Sequence, residues 1–198
     1  MTDNAHELKK IKDDVVGLTG SVLADERIAN KTFPVIGEGN DNAKIIFIGE
    51  APGENEAKTG RPFVGRAGKF FNELLESIGL PREDVYITNI VKDRPPKNRD
   101  PLPEEIDMYA PFLDRQVAVI KPTVIATLGR FSMDYVMKRY GLSTELGAIS
   151  ALHGKVFDTE IAGEKVKIVP LYHPAVALYD GSKRGELLED FKILKTLI

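Results

Sequence analysis

The stretch of sequence that decides the fold is residues 45–68, IIFIGEAPGENEAKTGRPFVGRAG. It opens with a run of large apolar residues, which ends at the motif Gly49-Glu50-Ala51-Pro52-Gly53 and is followed by a polar loop up to Gly68. A continuous apolar run of this length is typical of a strand in a parallel sheet that is covered on both faces. Ligands bind outside the carboxyl ends of the strands in such sheets. The sequence therefore predicts a binding loop that starts where this strand ends.

The rest of the chain alternates between strand-sized and helix-sized segments around this stretch. Apolar segments are predicted to form the central strands at residues 43–49, 85–91, 123–128 and 165–171. Residues 155–158 are predicted to form a hairpin with the last of them. Apolar residues at helical spacing predict helices at residues 7–16, 69–78, 103–120, 129–140 and 187–197. This alternation predicts an α/β fold, a three-layer α/β/α sandwich with a central, mainly parallel four-stranded sheet.

The length of the chain limits the number of domains. A chain of 198 residues is long enough for one well-buried domain and short for two. We expect a single domain over residues 1–198, with residues 1–36 as an N-terminal helical segment packed on it. Residues 17–42 have no clear periodicity and are predicted to be less regular.

The composition excludes several classes of site. The sequence contains no cysteine, which excludes disulfide bonds, thiolate zinc sites and cysteine nucleophiles. The net charge of −3 argues against a general basic coat for nucleic acid and leaves room for a local basic patch. The apolar runs are too short to span a membrane, and charges near the N-terminus stand where a signal peptide needs an apolar core. We expect a cytoplasmic protein that is a monomer and makes no membrane contact.

Polar residues follow three of the predicted strands: Glu50, Asn89 and His173. The carboxyl ends of parallel strands lie at one edge of a sheet, so these side chains are predicted to face one crevice. Each of them alone has a structural explanation. Glu50 could cap the next turn, Asn89 could form an Asx-turn, and His173 could be a hydrogen-bonded buried imidazole. Their convergence favours a functional site.

At these positions the chain resembles the uracil-DNA glycosylase superfamily, and within it the family 4 enzymes of bacteria and archaea. The resemblance extends from about residue 31 to the C-terminus and covers several motifs in order and at family spacing. These motifs are Gly49-Glu50-Ala51-Pro52-Gly53, Thr59-Gly60-Arg61-Pro62-Phe63-Val64-Gly65 with Ala67-Gly68, Tyr86-Ile87-Thr88-Asn89 with Lys92, Arg94-Pro95-Pro96 with Asn98-Arg99, and His173-Pro174-Ala175.

The resemblance implies a role for each residue of the crevice. Phe63 would stack on a flipped base. Asn89 would select uracil, because its amide oxygen accepts from the ring N–H while its NH2 donates to the adjacent carbonyl, and cytosine presents the opposite pattern. His173 would donate to the carbonyl beside the broken bond, where negative charge collects. Pro52 and Gly53 belong to the predicted base-binding loop, whose backbone N–H groups are further candidate donors.

Two positions depart from the best-known members of the superfamily. Those proteins carry an aspartate at the position of Ala51, which holds the attacking water, and a tyrosine at the position of Gly53, which excludes the thymine methyl. The family 4 pattern lacks both as well. The water must then be held by a backbone carbonyl or by an acid, and Glu50 is favoured over Glu54 and Glu56. Ala51 stays in the predicted catalytic set because it occupies the position of that aspartate.

The larger difference from the family 4 enzymes is that this chain has no cysteine. Family 4 enzymes usually hold a four-iron cluster with four cysteines, and alignment of the neighbouring motifs places those positions at about Val22, Asp25, Asp93 and Tyr109. None of these residues supplies a thiolate, so the chemistry excludes a cluster, and we expect neither a cofactor nor a metal. Val22 and Tyr109 are predicted to fill the space by apolar packing. Asp25 and Asp93 are predicted to be solvated surface acids, with binding of a hard cation as the disfavoured alternative.

Two basic clusters follow crevice-forming strands and are predicted to contact DNA phosphates. They consist of Lys92, Arg94, Lys97 and Arg99 on the proline-rich loop, and of Lys183 and Arg184 after the histidine motif. Solvated loop charges are the alternative interpretation. Leu178 is predicted to be the wedge that fills the gap left by a flipped base, with core packing of that turn as an equal alternative.

Together these features predict a DNA repair glycosylase that removes uracil from single- or double-stranded DNA and leaves an abasic site. Two alternatives stay open. One is a noncatalytic member of the superfamily that binds DNA or a nucleobase. The other is a glycosylase for another deaminated base.

Overall fold

The centre of the protein is a six-stranded sheet in the computed structural model, which describes residues 2–198. The strands are β1 (Glu38–Gly39), β2 (Ile45–Gly49), β3 (Tyr86–Asn89), β4 (Val124–Leu128), β5 (Phe157–Ile161) and β6 (Glu164–Leu171). Their order in the sheet is β1-β3-β2-β4-β6-β5. The four inner strands run parallel, while β1 and β5 pair with the two edges in the antiparallel direction. All residues of β2, β3 and β4 are buried, as expected for a parallel sheet covered on both faces.

Helices cover both faces of this sheet. They are α1 (Asp3–Val16), α2 (Val22–Ala29), α3 (Glu54–Thr59), α4 (Arg66–Ser77), α5 (Pro103–Ile120), α6 (Arg130–Arg139), α7 (Ile149–Leu152) and α8 (Gly181–Lys195). Apolar side chains of α1, α2, α5 and α6 form one core cluster, around Tyr109 and Met133. Those of α4 and α8 form the other, around Phe71 and Phe191. This arrangement confirms the predicted three-layer α/β/α sandwich. None of the helices within residues 2–198 has the length and apolar character needed to cross a membrane.

The four parallel strands lie where the sequence predicts them, and the sheet has two more strands at its edges. β5 is the predicted hairpin partner of β6. β1 was not predicted because it has only two residues, one of them a glycine, and leaves no alternating pattern.

Two helices lie where the sequence predicts irregular structure. α2 falls within residues 17–42 and begins after Ser21, whose hydroxyl accepts a hydrogen bond from the backbone N–H of Ala24. α3 forms inside the predicted binding loop. Val15 of α1 and Leu23 of α2 are buried in the core cluster beside α5, so the N-terminal segment packs on the sheet domain.

The carboxyl ends of the parallel strands meet at one edge of the sheet. Gly49 of β2 is paired with Asn89 of β3. The backbone N–H of Gly129, just after β4, donates to the carbonyl oxygen of Leu171 in β6 at 2.8 Å. A Cβ on Gly129 would lie 3.2 Å from the Cβ of His173. This edge therefore brings together the segments that follow β2, β3 and β6, as predicted.

Candidate active site

A cavity of about 660 Å³ opens at this edge of the sheet, within the size range of sites for small organic ligands. Its other walls come from α3, the first turn of α4 and the proline-rich loop. Nine of the predicted site residues line it, namely Glu50, Ala51, Pro52, Gly53, Phe63, Asn89, Arg99, His173 and Leu178. The fold therefore assembles the predicted crevice from segments that are far apart in the sequence.

Phe63 presents an aromatic ring to the cavity in a fixed orientation. Its backbone φ is 50°, in the left-handed region that residues other than glycine seldom adopt. Its carbonyl lies against Gly68, where any Cβ would collide with it, so this turn requires glycine at position 68. The ring centroid lies 5.2 Å from that of Phe71 and 5.6 Å from that of His173. These contacts hold the ring beside the imidazole.

Asn89 ends β3 with its side chain at the cavity and only 2% of its surface exposed. Its Oδ1 lies so close to Gly49 that a Cβ on that glycine would collide with it. Among residues 2–198, no hydrogen bond uses the side-chain amide of Asn89. Since buried amide groups normally have partners, both the donor and the acceptor of this side chain are available to a ligand.

His173 is held as a neutral imidazole with a defined tautomer. Its Nδ1 accepts a hydrogen bond from the backbone N–H of Ala175 at 3.1 Å, which leaves the ring proton on Nε2. Burial lowers the pKa of His173 to about 4, against the opposing effect of the charge on Glu56. At neutral pH the ring therefore offers the cavity an N–H donor without a positive charge.

Glu50 follows Gly49 directly and lines the same cavity. The pKa of its carboxyl is raised to about 7, mainly by burial and also by the charge of Asp100, while the charge of Arg130 opposes the shift. A carboxyl that titrates near neutral pH is suited to take a proton from water. Its position at the cavity agrees with the prediction that Glu50 holds the attacking water.

Comparison with known proteins agrees with the resemblance drawn from the motifs. Residues 36–192 match the family described as the Uracil DNA glycosylase superfamily. The chain belongs to this superfamily. A Type-4 uracil-DNA glycosylase of Archaeoglobus fulgidus is 48% identical over 180 residues, which cover 91% of this chain and 89% of the relative. The Type-4 uracil-DNA glycosylase of Saccharolobus solfataricus is 51% identical over 162 residues, or 81% and 74% of the two chains. That of Thermotoga maritima is 44% identical over 171 residues, or 85% of each.

Lys92 is predicted to contact DNA because its basic cluster follows a crevice-forming strand, and the structure contradicts this prediction. The side chain is fully buried. Its Nζ donates to Thr88 Oγ1 at 2.8 Å, to the carbonyl oxygen of Asn89 at 2.7 Å and to Gln116 Oε1 at 2.6 Å. Burial lowers the pKa of this amine well below its ordinary value. The prediction was wrong because the side chain points into the protein, where its amine finds acceptors on β3 and α5.

The other five predicted DNA-binding cations differ in whether the protein itself supplies them with a hydrogen-bond or ion-pair partner. Four of them have partners in the protein: Arg94 with Asn98, Arg99 with Glu105, Lys183 with Glu186, and Arg184 with Glu73. Lys97 is exposed on the proline-rich loop and has no ion-pair partner among residues 2–198. The pair of Arg184 with Glu73 is exposed and therefore weak enough to be exchanged for a phosphate contact, whereas the Glu105 partner of Arg99 is buried. The DNA-binding role of these residues stays a prediction, and Lys97 is the residue best placed for it.

Leu178 lies at the rim of the cavity, at the end of the short 3-10 turn Pro174–Leu178. Its side chain is 38% exposed, whereas Pro174 at the start of the turn is buried. Packing of this turn into the core would bury a leucine, so the exposure favours the wedge over the packing alternative. The wedge itself stays a prediction.

The positions that the superfamily resemblance assigns to an iron–sulfur cluster do not fit one. Asp25 is exposed, and Val22 is 64% exposed instead of packed in the interior as predicted. Tyr109 is buried, and its hydroxyl donates to Asp93 Oδ2 at 2.6 Å. Arg27 Nη1 lies 3.6 Å from the same oxygen. Asp93 therefore belongs to a buried polar network, and the prediction of a solvated surface acid was wrong.

Residues 2–198 contain no group of three or more histidine, cysteine, aspartate or glutamate side chains placed to hold a metal ion.

The sequence names Glu56 only as a candidate acid for the attacking water and does not identify Gln116 at all, and the structure gives both a supporting role in the site. The carboxylate of Glu56 accepts hydrogen bonds from the backbone N–H groups of Val64 at 2.9 Å and Gly65 at 3.0 Å. It thereby fixes the loop that carries Phe63. The available signal was an acid between two glycine-rich motifs, which does not reveal the N–H groups that it reaches. Gln116 lies on the buried face of α5, where a polar residue among apolar ones was a signal of a buried hydrogen-bond network.

Proposed function

We propose that this protein is a uracil-DNA glycosylase, which hydrolyses the bond between uracil and deoxyribose in DNA and leaves an abasic site. The observation that carries the proposal is the side-chain amide of Asn89. It is buried at the cavity, without a hydrogen-bond partner among residues 2–198, beside the rings of Phe63 and His173. Relatives that match most of this chain are named Type-4 uracil-DNA glycosylases, which supports the proposal.

Base selection would rest on Phe63 and Asn89. A base inside a duplex is out of reach of the cavity, so the nucleotide must leave the stack and enter it. Phe63 then stacks on the ring, which any pyrimidine allows. The Asn89 amide pairs with the adjacent N–H and C=O groups of uracil. Cytosine would leave these buried groups unpaired, at a cost of about 1–3 kcal/mol for each.

Departure of the base would be assisted by His173. The base leaves with negative charge on the carbonyl oxygen beside the broken bond. Because the Nδ1 of His173 is occupied by the N–H of Ala175, the Nε2–H is the group that donates to this oxygen. A hydrogen-bond donor aimed at a developing oxyanion contributes about 10²–10³-fold to a rate. The neutral ring provides this without losing a proton.

Activation of the attacking water would fall to Glu50. Its pKa of about 7 leaves a substantial basic fraction at neutral pH. The two other candidate acids have partners: Glu54 forms an ion pair with Lys58, and Glu56 accepts from two backbone N–H groups. Their engagement supports Glu50, with the backbone carbonyl of Ala51 as the remaining predicted group.

The reaction is proposed to need no cofactor, because each of its steps has a side chain of this chain to perform it and the sequence lacks thiolate ligands for a cluster. The substrate is DNA that contains uracil, in single or double strands. A monomeric state and a cytoplasmic location stay predictions.

Gly53 supports a second candidate function, a glycosylase with a wider range of bases. It lines the cavity and lacks the tyrosine side chain that excludes the thymine methyl in the best-known members of the superfamily, so this means of exclusion is absent here. The same cavity could then admit another deaminated base.

The test is incubation of the purified protein with an oligonucleotide that contains one uracil, followed by alkali, which cuts the strand at an abasic site. We expect strand cleavage with the wild type and a loss of about 100-fold or more in Asn89→Asp, which replaces the donor by a second acceptor. Asn30→Asp makes the same change at an exposed position and serves as the matched control with unchanged activity. Oligonucleotides with hypoxanthine or thymine in place of uracil test the second candidate.

Absence of cleavage on both single- and double-stranded uracil substrates would overturn the proposed activity and favour the noncatalytic alternative. Undiminished cleavage by Asn89→Asp would overturn the assignment of the base-selecting residue.

A further inference from the structure

Lys92 lies directly behind the residue that selects the base in the proposed function. Its side chain is completely buried, and its Nζ donates to the backbone oxygen of Asn89 at 2.7 Å. The other two contacts of the amine are Thr88 Oγ1 at 2.8 Å and Gln116 Oε1 at 2.6 Å. All three partners are uncharged oxygens, and no carboxylate within residues 2–198 forms an ion pair with Lys92. The hydrogen bonds of the amine therefore all go to the end of β3 and to α5.

These contacts replace strand pairing at the end of β3. Tyr86 and Ile87 are paired with β1, which is only two residues long, so Thr88 and Asn89 have no strand partner on that side. A buried carbonyl without a donor costs free energy comparable to a lost hydrogen bond. Lys92 supplies the donor that the Asn89 carbonyl would otherwise lack.

The rest of the network is anchored in the core. Gln116 Nε2 donates to the carbonyl oxygen of Ile36 at 2.8 Å and to the hydroxyl oxygen of Tyr86 at 3.1 Å. The Thr88 hydroxyl donates to the same Ile36 carbonyl at 2.7 Å. Both side chains that accept from Lys92 are thus fixed by further buried hydrogen bonds, and they fix the amine in turn.

On its other side Asn89 is confined by β2. It is paired with Gly49, whose carbonyl accepts from the backbone N–H of Ile90 at 3.0 Å. The Asn89 amide lies close against Gly49, where a Cβ would collide with it. A shift of the Asn89 carbonyl away from Lys92 would therefore move the amide relative to the cavity.

We propose that Lys92 is a positioning residue for base selection, which holds the Asn89 carbonyl so that the side-chain amide faces the cavity in the orientation that matches uracil. The inference rests on the proposed function, in which Asn89 selects the base. Lys92 touches no substrate and acts through Asn89. Because a displacement of about 1 Å in a site can lower a rate about 100-fold, we expect the effect in kcat and in base discrimination more than in KM.

The variant Lys92→Met tests this, since it keeps much of the side-chain volume and removes every donor. We expect kcat on a uracil oligonucleotide to fall about 100-fold, KM to stay near the wild-type value, and the preference for uracil over cytosine to shrink. Tyr86→Phe is the matched control. It removes the acceptor of Gln116 at the far end of the same network and leaves all three contacts of Lys92 in place, so kcat stays at the wild-type value.

A second readout does not depend on excision. The side-chain NH2 resonances of Asn89 in a nitrogen-labelled correlation spectrum, assigned by their loss in Asn89→Asp, are expected to shift or broaden in Lys92→Met and to stay in place in Tyr86→Phe. Should Lys92→Met not fold, Lys92→Gln, which is slightly shorter and still a donor, is measured in its place and is expected to show a smaller shift of the same resonances.

Three results would decide against the inference. One is a Lys92→Met protein with wild-type kcat and unchanged Asn89 resonances. Another is an equal loss of kcat in Lys92→Met and Tyr86→Phe, which would indicate general destabilisation. The third is unchanged Asn89 resonances in Lys92→Gln. A wild type that fails to excise uracil would instead overturn the proposed function, while the Asn89 resonances would still decide the role of Lys92.

Discussion

The pH dependence of excision should report the ionisation of Glu50. Its carboxyl lies at the cavity, and burial with the nearby charge of Asp100 raises its pKa to about 7. If ionised Glu50 takes the proton from the attacking water, the rate must follow the fraction of Glu50 that is ionised. The rate should therefore rise with pH through about 7 and level off above it.

The size of the effect follows from this pKa. With a pKa of about 7, the ionised fraction climbs from about 9% at pH 6 to about 91% at pH 8, which is about a tenfold rise in rate. His173 does not change the rate in this pH range, because burial lowers its pKa to about 4 and the ring stays neutral from pH 6 upward. A mechanism that needed a charged His173 would have the opposite sign, with the rate falling as pH rises.

The assay is single-turnover excision from a single-stranded uracil oligonucleotide, quenched in alkali at each pH and at constant ionic strength. Single-turnover conditions exclude product release, which often limits turnover. Glu50→Gln keeps the size of the side chain and removes its titration. We expect this variant to be slower at pH 8 and to have a flat profile between pH 6 and pH 8.

Two outcomes would refute the role of Glu50. A wild-type rate that is flat between pH 6 and pH 8 would show that no group with a pKa near 7 controls the reaction. A Glu50→Gln variant that keeps the wild-type rise would assign the titration to another group, and the water would then be held by a backbone carbonyl such as that of Ala51.

The remaining predictions concern His173, Gly49 and Tyr109. His173→Ala removes the Nε2–H donor, and we expect the excision rate to fall about 10²–10³-fold while oligonucleotide binding, followed by fluorescence anisotropy, is retained. Gly49→Ala places a methyl group against the Asn89 amide, and we expect excision to fall about 100-fold in the same alkali assay. Tyr109→Phe removes the donor to Asp93, and urea unfolding should give a free energy of unfolding lower by about 1–3 kcal/mol, whereas Val22→Ala at an exposed position should change it by less than about 0.5 kcal/mol. A wild-type excision rate in His173→Ala or Gly49→Ala, or a wild-type free energy of unfolding in Tyr109→Phe, would contradict the corresponding contact.

Residues at the ends of the central strands could be placed from the sequence, because apolar runs locate parallel strands and topology then determines where they end. Glu50, Asn89 and His173 meet at one cavity for this reason. The same reasoning does not determine what lies beside a strand edge. β1 is too short to leave a pattern, so the sequence did not show that Thr88 and Asn89 would need partners from side chains.

Charged residues were the least predictable part of the site. Lysine and aspartate are seldom fully buried, so a charge in a proline-rich segment is expected to face solvent. Lys92 and Asp93 are both buried, since Lys92 finds three neutral acceptors and Asp93 finds a tyrosine hydroxyl and the guanidinium of Arg27. Gln116 and Tyr109 come from α5 and Arg27 comes from α2, and only the folded chain brings these helices beside residues 92 and 93.

The exposure of Leu178 at the rim of the cavity has a practical consequence, because the chain contains no cysteine. A cysteine introduced in Leu178→Cys would be the sole thiol of the protein and could carry an environment-sensitive fluorophore without any background labelling. If this side chain enters the gap in a duplex, the dye would pass from solvent into stacked bases, and its emission would follow the extrusion of the nucleotide in real time. The rim of the cavity thus offers a direct optical view of a step that precedes bond cleavage.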